Sequence, residues 1–462
     1  MSFALRKLTG IVLCLTMSFS LVQANEAISE TVQGFAENFK AAVAHDPQFK
    51  RAFWAYQAEQ QEPDLGFAAL LPDVRLSAVY QYEDSDNIYT DPEQPRYYDS
   101  DLPRSSGKLK DNYWRFTLRQ PLYNAPAYRA YKRGEAMAEA STYRYKRLEQ
   151  ELIYRVAERY LQVLLSAQQV YLNQKKLDAL ELKMDQARRA RELGVGGQLQ
   201  VLHVKSSRDL ARSDLLQAKS QLSDAKTLLA NLTGSEISFP DEWVQSSGAI
   251  SPDFLARTEE EWLNDVRNNF SVKEAQARVS QERHNLASSK GEYYPTLNLS
   301  LSYLDRESED DLRTRKDAVA AIELSVPLYS GGYTQASVRK ARARLKATEA
   351  EFSYTIAEKE QQIKLSYNRL ISFKDRLLAL AESRESSKGF LEAAERELSL
   401  NVSDQANVLD ARTRLVDTQL QIAQTLNDYL LSDLILRLEA GQLTQDRLAE
   451  YDQLFNSASV KK

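Results

Sequence analysis

Apolar and polar positions alternate with a period of two along four short stretches of the chain. Val74, Leu76, Ala78, Tyr80 and Tyr82 interleave with Arg75, Ser77, Val79 and Gln81. Trp114, Phe116 and Leu118 interleave with Tyr113, Arg115, Thr117 and Arg119. Leu297, Leu299, Leu301 and Tyr303 alternate with Asn298, Ser300 and Ser302. Ala318, Ala320, Ile322, Leu324 and Val326 form the fourth set, blurred on its polar face by Val319 and Ala321. Successive side chains of a strand point to opposite faces, so each stretch predicts a strand with one apolar and one polar face. A length of about ten residues, with aromatic residues near the ends, suits a strand that crosses a bilayer in a barrel. The predicted strands span 73–83, 112–123, 296–305 and 316–328.

Elsewhere the period changes. Val156, Tyr160, Val163, Ala167 and Val170 step by four and three, as do Ile363, Tyr367 and Leu370, with Leu377 one heptad further on. That is the seam spacing of packed long helices. Twelve prolines are present, yet none falls between 127 and 239 or after 327. A proline in a helix interior costs about 3 kcal/mol, so these gaps leave room for long helices. They are predicted over 125–193, 198–232, 332–400 and 404–438. The Gly194-Val195-Gly196-Gly197 turn separates the first pair, and Leu400-Asn401-Val402-Ser403 the second.

The two halves repeat one another. Leu71-Pro72-Asp73-Val74 resembles Tyr294-Pro295-Thr296-Leu297, offset by 223 residues. Gln120-Pro121-Leu122-Tyr123 resembles Val326-Pro327-Leu328-Tyr329, and from there the offset stays between 205 and 207. The first half therefore carries about 17 extra residues in the polar loop between its strands, where insertions are best tolerated. The expected organisation is a first repeat over 25–234, an equatorial linker over 235–262, a second repeat over 263–441 and a tail over 442–462.

Composition narrows the class. The 462 residues carry 60 Lys and Arg against 65 Asp and Glu, a net charge of −5 that argues against a basic nucleic-acid binder. Residues 1–24 carry Arg6 and Lys7, a short apolar run from Ile11 to Leu21, and Val22-Gln23-Ala24. This pattern predicts a secretory leader, too short in its apolar part for a membrane span. Its removal would take both cations and the one cysteine, Cys14. Three scattered histidines (His45, His203, His284) lack metal-ligand spacing, and no catalytic constellation or phosphate loop is present. No cofactor, metal site or enzymatic activity is expected.

Four strands cannot close a barrel, and open sheet edges are not tolerated in lipid. The chain is therefore expected to oligomerise around a shared barrel. A helix of about 69 residues would run roughly 100 Å, far beyond a bilayer's thickness, so the helices must project into water. The expected fold is mostly α with a membrane β-barrel, built from duplicated strand–strand–long helical hairpin units.

The expected mature chain resembles the TolC family of outer-membrane export channels along its whole length. The resemblance rests on Pro121-Leu122-Tyr123 and Pro327-Leu328-Tyr329-Ser330-Gly331-Gly332, on the Leu-Pro and Tyr-Pro strand starts, on His45-Asp46-Pro47, on Asn407-Val408-Leu409-Asp410-Ala411 and on the duplication itself. It implies a homotrimer with a twelve-stranded barrel in the outer membrane of a Gram-negative bacterium and a helical barrel in the periplasm. The implied function is a passive conduit for efflux of small molecules, type I protein secretion or both. The implied partners are a periplasmic adaptor, an inner-membrane transporter and outer-membrane lipid, with no nucleic acid.

The resemblance also implies site residues. Asp410 corresponds to an acidic ring position at the periplasmic entrance, and the preceding ring position is Asn407. Gln200 stands where the family has an aspartate that locks the first hairpin, and Ser403 where it has an arginine. Asp404, one helical turn before Asn407, either restores the lost charge or is a solvated helix residue. Gly194, Val195 and Gly196, with Asn401, Val402 and Ser403, correspond to hairpin tips that dock the adaptor. The alternative from a different class is a structural periplasmic coiled-coil or adaptor protein without a channel, which would leave the period-two strands unexplained.

Overall fold

The computed structural model describes residues 34–84, 108–237, 244, 257–309, 313–400, 405–448 and 450–452. The expected leader, the loop at 85–107 and the tip residues Asn401, Val402, Ser403 and Asp404 lie outside the described residues. Four strands, β1 (Asp73–Asp84), β2 (Lys108–Tyr123), β3 (Thr296–Ser308) and β4 (Arg315–Ser325), form one antiparallel sheet in the order β1-β2-β3-β4.

The register aligns the alternating residues across the sheet. Val74 lies opposite Leu118, Leu118 opposite Leu301, and Leu301 opposite Ala320. The next row runs Leu76, Phe116, Tyr303 and Ala318. Directly opposed residues share a face, so these rows make one continuous apolar surface. It is exposed: Leu76 retains 72% and Ile322 69% of its accessible surface. The opposite face carries Arg75, Thr117 and Ser302 in one row, and Ser77 and Arg115 in another. Among the described residues β1 and β4 each pair on one side only, which leaves both sheet edges open.

Three strand limits differ from the alternation by three residues or more, the first being β3, which runs on to Ser308 rather than 305. β4 ends at Ser325 rather than 328, because Pro327 has no N–H to give to a ladder. β2 starts four residues earlier than the apolar pattern does and shifts register between Pro121 and Tyr123, the bulge that a proline inside a strand requires.

Helices precede the first strand of each half. α1 (Phe35–His45), α2 (Pro47–Glu59) and α3 (Glu62–Ala68) lead into β1. α6 (Glu259–Asn264), a 3-10 turn and α7 (Phe270–Gly291) lead into β3. The two long hairpins are α4 (Ala125–Glu192) with α5 (Gln198–Thr233), and α8 (Tyr333–Ser399) with α9 (Gln405–Glu439). α4 has 68 residues, about 100 Å at 1.5 Å per residue. The Asn124 side chain accepts the Ala127 N–H at 3.0 Å, and Pro126 occupies the first turn, where no N–H is needed. Below the sheet α7 packs between α4 and α8; lower down α4 packs against α9, with α5 and α8 on the flanks.

Six of the nine predicted seam residues are buried, while Ala167, Val170 and Tyr367 are partly buried. Val156, Tyr160, Val163, Ile363 and Leu370 have no accessible surface. They belong to a large apolar cluster midway along the helices, which also takes in Phe35, Phe39, Trp262, Leu434, Leu443, Leu448 and Tyr451. The N-terminal helix and the C-terminal residues meet there: the Phe35 N–H donates to Asp452 Oδ1 at 2.8 Å, and the Phe35 and Tyr160 ring centroids are 4.0 Å apart. Buried Asp433 accepts from Arg437 Nε at 2.8 Å and from the Tyr451 hydroxyl.

Candidate periplasmic entrance and hairpin tip

Towards the far end of the helices the core thins. Leu177, Leu180, Ala211 and Leu215 form one small cluster, and Met184, Ala187, Val201 and Val204 another. Both lie on the α4–α5 seam, and Leu409 of α9 packs against the first.

The turn that joins α4 to α5 is fixed by its glycines. Gly194 has φ +75°, a left-handed conformation that favours glycine. Val195 and Gly196 both donate their N–H to the Ala190 carbonyl at 2.9 Å, closing the end of α4. A Cβ on Gly196 would lie 3.0 Å from the Ala190 Cβ and 3.1 Å from the backbone there, so a larger residue would have to push the end of α4 aside. The helix termination leaves an apolar tip in water: Leu193, Val195 and Leu199 are 78, 80 and 82% exposed. Leu400, at the end of α8, is 72% exposed. Among the sequence-predicted tip residues, Gly194, Val195 and Gly196 thus lie together on one turn.

Asp410 and Gln200, predicted from opposite halves of the chain, line one cleft of about 290 Å³ between α4, α5 and α9. Lys176, Lys183, His203 and Asp214 line it as well. Asn407 and Asp410 are both exposed, one helical turn apart on α9. Across the mouth of the cleft, Lys176 Nζ of α4 lies 3.0 Å from Asp417 Oδ1 of α9, which ties the first hairpin to the second. Within the second hairpin, Arg412 of α9 pairs with Glu395 of α8 at 2.9 Å. The sequence reading missed Lys176, Lys183 and Asp417. Its one available signal was a lysine on the otherwise apolar Leu177–Leu180 face, and nothing local marks Asp417 as the partner of a residue 241 positions away.

Among the described residues no group of His, Cys, Asp and Glu is arranged to hold a metal ion. No helix there is long and apolar enough to cross a membrane. The surface suited to lipid is the apolar face of the sheet.

Comparison with known proteins agrees with this arrangement. The family model described as "Outer membrane efflux protein" matches residues 39–235 and 265–442. The alkaline protease secretion protein AprF of Pseudomonas aeruginosa is 28% identical over 430 residues, covering 89% of this chain and 85% of that protein. The proteases secretion protein PrtF of Dickeya chrysanthemi is 24% identical, covering 94% and 93%. The outer membrane protein TolC of Vibrio cholerae is 25% identical, covering 89% and 92%. The solved structure of the Campylobacter jejuni CmeC outer membrane channel superposes with a TM-score of 0.73 at 13% identity, covering 92% of this chain and 89% of that one. The chain belongs to the outer membrane efflux protein family and is an outer-membrane channel protein of the TolC kind, in a family of channels rather than enzymes.

Proposed function

We propose that three copies of the chain close one twelve-stranded barrel and continue into a single helical tube, through which protein cargo leaves the cell. The observation that carries this reading is the sheet with an apolar face and two open edges. Each unpaired backbone group in hydrocarbon costs several kcal/mol, so β1 of one copy must find β4 of the next. Four strands are too few to enclose a lumen, whereas twelve suffice. The helical part offers matching flanks: α5 exposes Leu199, Leu202, Leu210 and Leu216, and α8 exposes Tyr354, Leu365, Leu378 and Phe390. Joining α5 to the next copy's α8 would cover both stripes.

In this trimer the periplasmic entrance is ringed by Asp410 and Asn407, with Gln200 and Asp404 contributing beside them. Three carboxylates around a narrow axis focus a negative potential, which favours cations and repels anions. The exposed tip at Gly194, Val195 and Gly196, with Asn401, Val402 and Ser403 of the second hairpin, is the docking surface for a periplasmic adaptor that connects an inner-membrane transporter. In this reading the first repeat runs over 25–234, the linker over 235–262, the second repeat over 263–441 and the tail over 442–462. A protein cargo is favoured because AprF and PrtF are both named for protease secretion. The test is a deletion strain compared with its parent for secreted proteins and drug sensitivity. Loss of one or more exported proteins at unchanged drug sensitivity supports the reading. An unchanged secreted proteome with increased drug sensitivity overturns the cargo class and leaves the conduit.

A further inference from the structure

A second cleft lies where the sheet meets the helices, far from the entrance. It has a volume of about 720 Å³, within the range of small-ligand sites. Its walls come from the end of β2, the start of α4, the end of α7 and the segment before β1. Tyr123, Tyr128 and Tyr294 supply aromatic surface, Leu70 and Leu122 aliphatic surface, and Arg129 and Lys290 positive charge. Among the described residues no acidic side chain lines it. Both cations are exposed, and neither has an ion-pair partner among the described residues.

The cleft opens on the lipid side of the sheet. At the β2 bulge, Tyr123 pairs with Leu297, which in turn pairs with Leu324. This row belongs to the apolar face that carries Leu299 and Leu301, so the cleft continues the surface that faces acyl chains. Arg129 lies five residues into α4 and Lys290 one residue before the end of α7, within about a helical turn or two of the membrane boundary. The geometry is held firmly. Ser288 Oγ donates to the Pro126 carbonyl at 3.1 Å, and a Cβ on Gly291 would meet the Pro126 nitrogen at 3.0 Å, so the end of α7 sits directly against the start of α4. One turn away, the His284 imidazole is held below its ordinary range, first by burial and then by the nearby charges of Arg129 and Lys132.

We propose that this cleft binds the phosphate of a phospholipid from the periplasmic leaflet, with Arg129 and Lys290 on the phosphate, the tyrosines around the glycerol backbone and the acyl chains along the apolar face of β2 and β3. One lipid per subunit would seal the joint between barrel and tube and set the depth of the protein in the membrane. The proposal rests on the sheet lying in lipid. It goes beyond the conduit reading, because a channel needs lipid around it but not a cationic site for one headgroup.

The test is native mass spectrometry of the purified full-length oligomer titrated separately with phosphatidylglycerol and with diacylglycerol of the same chains. Two charge-assisted contacts correspond to about a tenfold or larger preference for the phospholipid. The double variant Arg129→Ala, Lys290→Ala is expected to lose that preference, and Lys290→Arg to keep it. Both side chains are exposed, so the core is untouched, and the wild-type comparison decides the matter even if the double variant fails to assemble. Equal retention of the two lipids, an unchanged preference in the double variant, or displacement of the phospholipid by millimolar inorganic phosphate would overturn the site. Equal retention would still leave the sheet in the membrane, whereas absence of the protein from the outer membrane fraction would remove the premise itself.

Discussion

The middle of the helical part and its far end are built from the same four helices, yet they are held together differently. At the middle, Tyr160, Leu229, Ile363, Leu370, Leu430 and Leu434 are fully buried, and α1, α6 and the C-terminal residues wrap around them. At the far end two small clusters hold α4 to α5, with only the partly buried Leu409 of α9 packed against one of them, and an ion pair whose Asp417 remains half exposed ties the first hairpin to the second. Apolar burial of the first kind is large and hard to reverse, whereas exposed ion pairs contribute roughly 0–1 kcal/mol and are weakened by salt. The difference teaches where a tube made of continuous helices is clamped and where it is free to widen.

The largest effects are expected at the clamp. Asp433→Asn removes the buried carboxylate charge that the partly buried Arg437 faces at 2.8 Å and is expected to cost about 3–5 kcal/mol, read as a fall in melting temperature of the purified protein. Leu434→Ala leaves a cavity in the same core and should cost about 2–5 kcal/mol. A loss below about 1 kcal/mol in both variants would show that the middle is not the clamp.

Alkaline pH gives an intermediate effect at the same place. Burial pushes the Tyr154 hydroxyl up to about 12, with Glu158 adding to the rise, and burial likewise raises Tyr160 and Tyr451. These folded-state values exceed the ordinary value of 10, so the associated stability is complete below pH 10 and is lost as pH climbs towards 12. Melting temperature should therefore fall across that window, and Tyr154→Phe should make the fall shallower. An identical slope in the variant would contradict the assignment.

At the far end stability should barely change while conduction does. Lys176→Ala is expected to shift stability by less than about 1 kcal/mol and to raise single-channel conductance in planar bilayers, because it releases α4 from α9. Asp410→Ala should change stability least of all, weaken cation selectivity and reduce block by divalent cations. Unchanged conductance and block in Asp410→Ala would remove Asp410 from the entrance.

The contrast also separates what the sequence made legible from what it did not. The strands were visible because a half-apolar strand alternates residue by residue, as Val74 to Tyr82 do. The long helices were visible because proline is absent from them and apolar residues recur at helical spacing. The helices before each strand pair escaped notice: α3 has only seven residues, and the apolar residues of α7 form no pronounced stripe. The clamp was hidden for another reason. Phe35 meets Asp452 across 417 positions, and no local pattern records a contact of that range. At the entrance, a family resemblance suggested Asp410 and Gln200, and they do share a cleft. Lys176 and Asp417 were indistinguishable from the charged faces that long helices present to water.

The claim on which the rest depends is that copies of the chain pair edge to edge through β1 and β4. Cys14, the chain's single cysteine, falls in the expected leader, so introduced thiols can be followed alone. Ser77 of β1 and Ala321 of β4 are exposed on the polar face of the sheet. The double variant Ser77→Cys, Ala321→Cys, treated in outer membranes with a short bifunctional maleimide, should give a ladder that ends at the covalent trimer, and each single variant should lack the trimer band. A chain that stays monomeric in the double variant, or a ladder that runs past three, would contradict the shared barrel.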